Sequence, residues 1–201
     1  MLTPVEDPLS GKYTVFGVVT ALSVIIDQAT KYWVNQNIQV WKGSIPVIPG
    51  LFELVNYKNK GAAFGMGTGW GSAMLVFAIF TVIALGVMGW MLVKLPKEDR
   101  FEAGIMGLIT GGAIGNAIDR AMYQEVTDFL KFFTDDPDQV AWLNAKFGMA
   151  EWPSFNVADS CIVVGVLVFF VYTLIQDYNG KGKPDELADD GPLPELDQAI
   201  E

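Results

Sequence analysis

The chain has 201 residues, 51% of them hydrophobic and 18% charged, where soluble domains carry nearer 25% charge, so the balance leans toward a membrane protein. Of the net charge of −10, six units belong to the tail from Asp177 onward, with eight acidic and two basic residues, and nothing resembles the basic footprint of a nucleic-acid binder. Histidine is absent and Cys161 is the single cysteine, which removes Ser-His-Asp and Cys-His catalysis, argues against a conventional zinc site, and leaves acid–base chemistry to Asp, Glu, Lys or Tyr.

Residues 1–12 read as a short polar tail with two prolines. The start is mixed in charge and no A-x-A-like site follows the first apolar run, so the reading is a retained anchor, not a cleavable signal peptide. Tyr13 to Ile26 is uncharged but short of the roughly 20 residues a span needs. The helix reaches that length by continuing to about Val34, which stacks Asp27 and Lys31 at i, i+4 with the acid first, the favourable order. Charges are costly at mid-bilayer, so this pair is expected near the interface, facing other helices.

Asn35 to Gly71 is a polar excursion. Ile45–Ile48 and Leu51–Tyr57 have the β-branched and aromatic content of short strands, with Pro49-Gly50 as their turn. Ser72 to Val93 carries no charge and is the clearest span. Lys94 to Arg100 is a tight polar turn. Phe101 to about Ile118 is the third span, where Gly107, Gly111 and Gly115 fall four apart and form a stripe for close helix packing. Asn116, Asp119 and Arg120 share one side of the same helix. Arg120 to Pro153 is a second polar excursion with a charged insert, Thr134–Asp138, and the aromatics Trp142, Phe147 and Trp152, a type of residue enriched at headgroup level. Phe155 to about Gln176 is the fourth span, with Asn156 and Asp159 near its start. The acidic tail that follows has the composition of a disordered segment. The domains are therefore a tail (1–12), a four-helix membrane domain (13–176) and an acidic tail (177–201).

Four crossings place the end of span one, the start of span two, the end of span three and the start of span four on one membrane face. Those places hold Asp27 and Lys31, Asn56 and Asn59, Asn116, Asp119 and Arg120 with Asp128, and Asn156 with Asp159. Such convergence marks a site. Three basic residues in the short Lys94–Arg100 turn favour that turn, and both termini, being cytoplasmic; the site then faces outward. Without histidine, two aspartates in a partly dry place are the most economical catalyst, because close carboxyls share a proton and supply both a base and an acid. Asp27, Asp119, Asp128 and Asp159 are all candidates on this ground.

Five motifs occur in order: Asp27-Gln28-Ala29-Thr30-Lys31, Asn59-Lys60-Gly61-Ala62-Ala63-Phe64, Gly111-Gly112-Ala113-Ile114-Gly115-Asn116-Ala117-Ile118-Asp119-Arg120, Val126-Thr127-Asp128-Phe129 and Phe155-Asn156-Val157-Ala158-Asp159. Together they resemble the motif set of lipoprotein signal peptidase, the bacterial type II signal peptidase, over Tyr13 to Gln176. The resemblance implies a mainly α membrane protein of four transmembrane helices, with a small extracytoplasmic β element between helices 1 and 2. It implies an aspartic endopeptidase of the bacterial inner membrane that cuts prolipoproteins before a diacylglyceryl-modified cysteine. Asp128 and Asp159 would be the catalytic pair. Asn59, Asn116, Arg120 and Asn156 would line the site, with Gly112 and Ala158 from the same motifs beside it. Asp27 and Lys31 would support it near the entrance, and Asp119 would pair structurally with a neighbouring cation. No cofactor or metal is implied. The partners would be lipid-modified prolipoproteins and membrane lipids, with no nucleic acid, and the enzyme would act as a monomer. The stretch Lys131 to Phe155 is longer than the usual pattern and is expected to form a lid. The competing reading is a small four-span ion or proton transport protein, which needs polar residues reaching both faces.

Overall fold

The computed structural model describes residues 11–61, 70–149 and 151–181. The N-terminal tail before Gly11, the Ala62-Ala63-Phe64 end of the second motif and the acidic tail from residue 182 lie outside the described residues. The elements run α1 (Lys12–Asn37), β1 (Ser44–Ile48), β2 (Phe52–Asn59), α2 (Trp70–Lys94), α3 (Arg100–Tyr123), β3 (Val126–Phe132), α4 (Pro137–Phe147) and α5 (Val157–Lys181). Four helices, α1, α2, α3 and α5, are long and apolar enough to cross a membrane.

α3 is the central helix. Half of its apolar stretch is buried inside the protein, against 11% or less for the other three spans. The glycine spacing explains why. A Cβ on Gly111 would stand 2.5 Å from the Ser23 Cβ and 2.9 Å from the Thr20 carbonyl of α1. On the adjoining face, a Cβ on Gly112 would collide with the Ala158 carbonyl oxygen of α5. Only glycine lets both backbones approach α3 this closely, and the Thr20 hydroxyl uses the proximity to donate to the Gly107 carbonyl at 3.1 Å.

At the end of the bundle near the Lys94–Arg100 turn the core is apolar. Leu92, Leu95, Ala103 and Met106 pack together there with Phe16 against them. The buried Lys12 ammonium donates to the carbonyls of Val93 and Leu95, a favourable placement for a cation at the end of α2.

At the other end sits a three-stranded antiparallel sheet in the order β1-β2-β3. The first two strands lie where the sequence predicts them, between spans one and two. β3 is additional: it falls inside the second excursion and pairs Tyr57 with Asp128 and Asn59 with Val126. A bulge between Leu54 and Tyr57 turns both Val55 and Asn56 inward, so that each is buried. Val34, Ile38 and Phe129 form a second apolar core that joins the end of α1 to this sheet.

Several helix ends differ from the sequence-based limits, among them that of α5, which runs on to Lys181 and takes in the start of the expected tail. α1 continues to Asn37, and α3 continues to Tyr123 before Gln124 closes it in the left-handed conformation at φ 62°. The longer α3 keeps Asn116, Asp119 and Arg120 within regular helix. The second excursion also contains a helix that the reading missed. Asp136 caps α4 by accepting from the backbone N–H groups of Asp138 at 2.9 Å and Gln139 at 3.1 Å. Pro137 occupies the first turn and Gly148 the left-handed position after the end, the usual asymmetry of helix termini.

Candidate active site

Asn156 is the hub. It immediately precedes α5, and its side-chain oxygen accepts from the Asp159 backbone N–H at 3.0 Å. Asp159 returns the bond by accepting from the Asn156 backbone N–H at 3.2 Å. This is a capping box with Asp in the place more often taken by Glu. The free donor of Asn156, its amide Nδ2, reaches Asp128 Oδ1 at 2.8 Å. One buried residue therefore holds two carboxylates that are 31 residues apart in sequence, Asp128 on β3 through its side-chain amide and Asp159 on α5 through its backbone N–H.

Each carboxylate has a second amide donor. Asn59, at the end of β2, donates to Asp128 Oδ2 at 2.9 Å. Asn116, on α3, donates to Asp159 Oδ1 at 2.7 Å. The Asn116 oxygen in turn accepts from Lys31 at 3.0 Å and from Asn156 at 3.3 Å. Burial pushes the Asp128 carboxyl up to about 6. The Asn59 bond opposes that rise, the Asp159 charge adds to it, and the Asn156 bond and the Lys31 charge again oppose it.

Behind the pair lies an ionic cluster. Lys31 Nζ contacts Asp27 Oδ2 at 2.8 Å and Asp119 Oδ2 at 3.0 Å. Asp27 Oδ1 accepts from the Ala158 backbone N–H at 2.9 Å, which fixes the start of α5. Asp119 Oδ2 accepts from the Thr127 N–H at 3.2 Å, which fixes β3 one residue before Asp128. Asp27 and Lys31, expected near the interface and facing other helices, face α3 and α5 through these contacts. They are 0% and 3% exposed, and that burial is sustainable because each charge is paired and hydrogen-bonded. A Cβ on Gly115 would stand 2.6 Å from Asp27 Oδ2, so this glycine makes room for the cluster.

Gln28, which the reading quoted only as part of a motif, is a further member. Its amide donates to Asp119 Oδ1 at 2.9 Å, to Asp27 Oδ2 at 3.1 Å and to the Gly115 carbonyl at 3.1 Å. Its i+1 position beside Asp27 was the available signal. Asn56 goes elsewhere: its amide donates to the Ile38 carbonyl at 2.8 Å and ties β2 to α1. Arg120 stacks over the Phe77 ring of α2, 4.2 Å from its centroid, and its guanidinium donates to the Asn116 carbonyl at 3.3 Å.

A cleft of about 700 Å³ opens beside Asp128, bordered by Asn59, Tyr57, Lys58, Glu125, Pro153 and Ser154. From the connection between α3 and α5, Glu125, Asp128, Pro153 and Ser154 border this cleft; α4 contributes no lining residue to it and lines an adjoining groove. Burial lowers the Lys58 pKa, and its ammonium is shared between Asn35 Oδ1 at 2.6 Å and Thr127 Oγ1 at 2.8 Å.

A family profile described as signal peptidase (SPase) II matches residues 19–175. A protein named lipoprotein signal peptidase from Maridesulfovibrio salexigens is 38% identical over 164 residues, covering 80% of this chain and 95% of that protein. Its namesake from Geobacter metallireducens is 38% identical over 171 residues, covering 85% and 96%. Two solved structures, both titled as bacterial membrane enzymes determined by the in meso method, superpose with TM-scores of 0.67 and 0.66. They are 29% and 30% identical and cover 84% and 81% of this chain and 93% of each neighbour.

Proposed function

The chain belongs to the signal peptidase II family, and on that premise we propose that it is an aspartic endopeptidase that removes signal peptides from diacylglyceryl-modified prolipoproteins. The observation that carries the reading is Asn156, which grips both Asp128 and Asp159. Asp128, whose carboxyl burial pushes up to about 6, keeps the shared proton. Asp159, supported by Asn116 and a backbone N–H, is the base. It takes a proton from water as the water oxygen bonds to the scissile carbonyl carbon, while Asp128 passes its proton to the carbonyl oxygen. Collapse of the resulting gem-diol breaks the C–N bond: the proton held by Asp159 leaves on the new amine, and one gem-diol hydroxyl returns its proton to Asp128 as the acid carbonyl forms.

The remaining residues divide into two groups. Asn59 and Arg120 meet the substrate backbone. Asn116, Lys31, Asp27, Asp119, Gly112 and Ala158 hold the pair in place. A lipid-anchored cysteine keeps its peptide bond at headgroup depth, so a pair at that depth acts without extracting the chain. The basic residues Lys94, Lys97 and Arg100 support a cytoplasmic position for their turn and both termini, and on that reading the site opens on the extracytoplasmic face of the inner membrane. All of these residues belong to one chain, so a monomer suffices. An ion pathway is disfavoured, because the polar cluster gives way to Leu92, Leu95, Ala103 and Met106 toward the opposite face.

The test is cleavage by the purified full-length protein of a precursor with and without the diacylglyceryl group. The proposal expects a new N-terminus at the lipid-modified cysteine and an intact unmodified precursor. Cleavage at another bond, or equal cleavage of both, overturns it.

A further inference from the structure

The insert that follows β3 takes no part in the active-site bonding described above. Its helix α4 buries none of its own side chains. A helix of 11 residues is marginal in water unless an apolar face is covered. That face exists: Val140, Leu143 and Phe147 lie at helical spacing, and Trp142 stands edge-on to Phe147 with centroids 5.8 Å apart. Between α4 and the sheet runs a groove of about 580 Å³, walled mainly by apolar residues such as Leu51, Phe132, Leu143, Phe147 and Trp152, with Glu151 also in its lining. Trp142, Phe147 and Trp152 are 56%, 64% and 66% exposed.

Three observations name what covers this patch. Trp152 stands only five residues before Val157, the first residue of span α5, so it lies within about 18 Å of the end of that span. The groove is also joined to the span by stacked rings. Phe132 packs on Phe52 at 4.6 Å and on Phe155 at 6.0 Å, and Phe155 is two residues from α5. Finally, the charges of α4 sit at its ends, Asp138 in the first turn and Lys146 in the last. The one charged residue of the groove, Glu151, is paired with Lys131 at 3.3 Å, so acyl chains and glycerol ester groups suit the apolar remainder. Aromatic rings on such a surface settle at the membrane–water boundary.

We propose that α4 and the Met149–Trp152 segment form an interfacial anchor, its aromatic groove covered by phospholipid of the leaflet that adjoins the site. The anchor holds β3, and with it Asp128, at a fixed depth. This inference rests on the four membrane spans and not on the catalytic assignment.

The test uses the full-length protein in vesicles of phosphatidylcholine brominated near the headgroup end of its acyl chains, beside unbrominated vesicles. Subtracting the emission of a Trp142→Phe/Trp152→Phe double variant isolates the two tryptophans. The proposal expects bromine to quench that difference emission by roughly half or more, as for interfacial rings. Trp90, exposed in span α2, is among the tryptophans that remain in the double variant and reports that brominated lipid surrounds the protein. Unquenched difference emission alongside quenched residual emission overturns the proposal. So does quenching that appears only when a precursor with a brominated diacylglyceryl group is added to plain vesicles, because the groove would then hold substrate lipid. Neither readout requires cleavage.

Discussion

Asn156 and Asp159 each complete the other's hydrogen bonding, the Asn156 oxygen taking the Asp159 N–H at 3.0 Å and the Asp159 carboxylate taking the Asn156 N–H at 3.2 Å. The same local device that starts α5 thus orients one carboxylate, and the spare Asn156 amide reaches the other at 2.8 Å. Serine caps helices about as well as asparagine but is too short to reach Asp128. Asn156→Ser should therefore keep the cap yet cost about 1–3 kcal/mol in stability, the scale of one buried acceptor left unpaired, while losing at least roughly tenfold in kcat, the scale of one charge-assisted hydrogen bond. Thermal unfolding in detergent and a cleavage assay on the same preparation check both halves.

The Asp128 carboxyl titrates near 6, above its ordinary 3.8, because it is buried. A group raised in this way favours the folded state below its unfolded value, and that contribution is lost as the pH rises through about 6. For catalysis the pair needs one proton, so kcat/KM should fall with unit slope above the upper apparent pKa of the pair. The Asn59 bond favours the charged form of Asp128. Asn59→Ala should accordingly move this basic limb to higher pH as well as lowering the rate. A pH–rate profile of parent and variant reads the shift.

Lys31 is the cation between two buried carboxylates, Asp27 and Asp119. Lys31→Met leaves both unpaired and should cost about 3–5 kcal/mol, as for removing one partner of a buried pair. It should appear as a large drop in melting temperature or in folded yield. Asp119→Asn loses a charge that anchors both Lys31 and the Thr127 N–H. Its main effect should be a smaller folded fraction, with turnover per folded molecule reduced less. Stable but inactive protein would assign Asp119 a direct catalytic part.

Gly112 faces the Ala158 carbonyl so closely that any Cβ must push α5 away from α3. Gly112→Ala should destabilise by about 1–3 kcal/mol and displace Asp159 with its helix. Gly86 and Gly89 on α2 meet nothing within 4 Å, so alanine at either should be neutral or stabilising by up to about 1 kcal/mol. Melting temperatures of the three variants, measured side by side, separate close packing from helix propensity.

The spans were legible because lipid demands long apolar stretches, and Ser72–Val93 or Phe155–Gln176 admit no other reading. That Asn116, Asp128, Asn156 and Asp159 share one face was legible from topology, since they flank the single connection between spans three and four, but which aspartates pair came only from the motif resemblance. The strand β3 was not read, although Val126-Thr127-Asp128-Phe129-Leu130 has strand composition. Its pairing with β2 reaches about 70 residues back in the chain, and no local pattern reports a partner that distant. α4 did have local signals in Asp136, Pro137 and Gly148, but they were hidden by the weight of charge in Thr134–Asp138. The burial of Asp27 and Lys31 was not legible for a different reason. An i, i+4 pair looks the same at an interface and in a core, and only the third partner, Asp119 on another helix, decides between them.

The most direct measurement is precursor processing in cells depleted of their own lipoprotein signal peptidase and supplied with Asp128→Asn or Asp159→Asn. Both variants keep the size and most hydrogen-bonding groups of the parent and are expected to insert at its level. The account predicts that each leaves the lipid-modified precursor uncut. Normal processing by either variant would contradict the assignment of that aspartate and, with it, a mechanism built on two carboxyls.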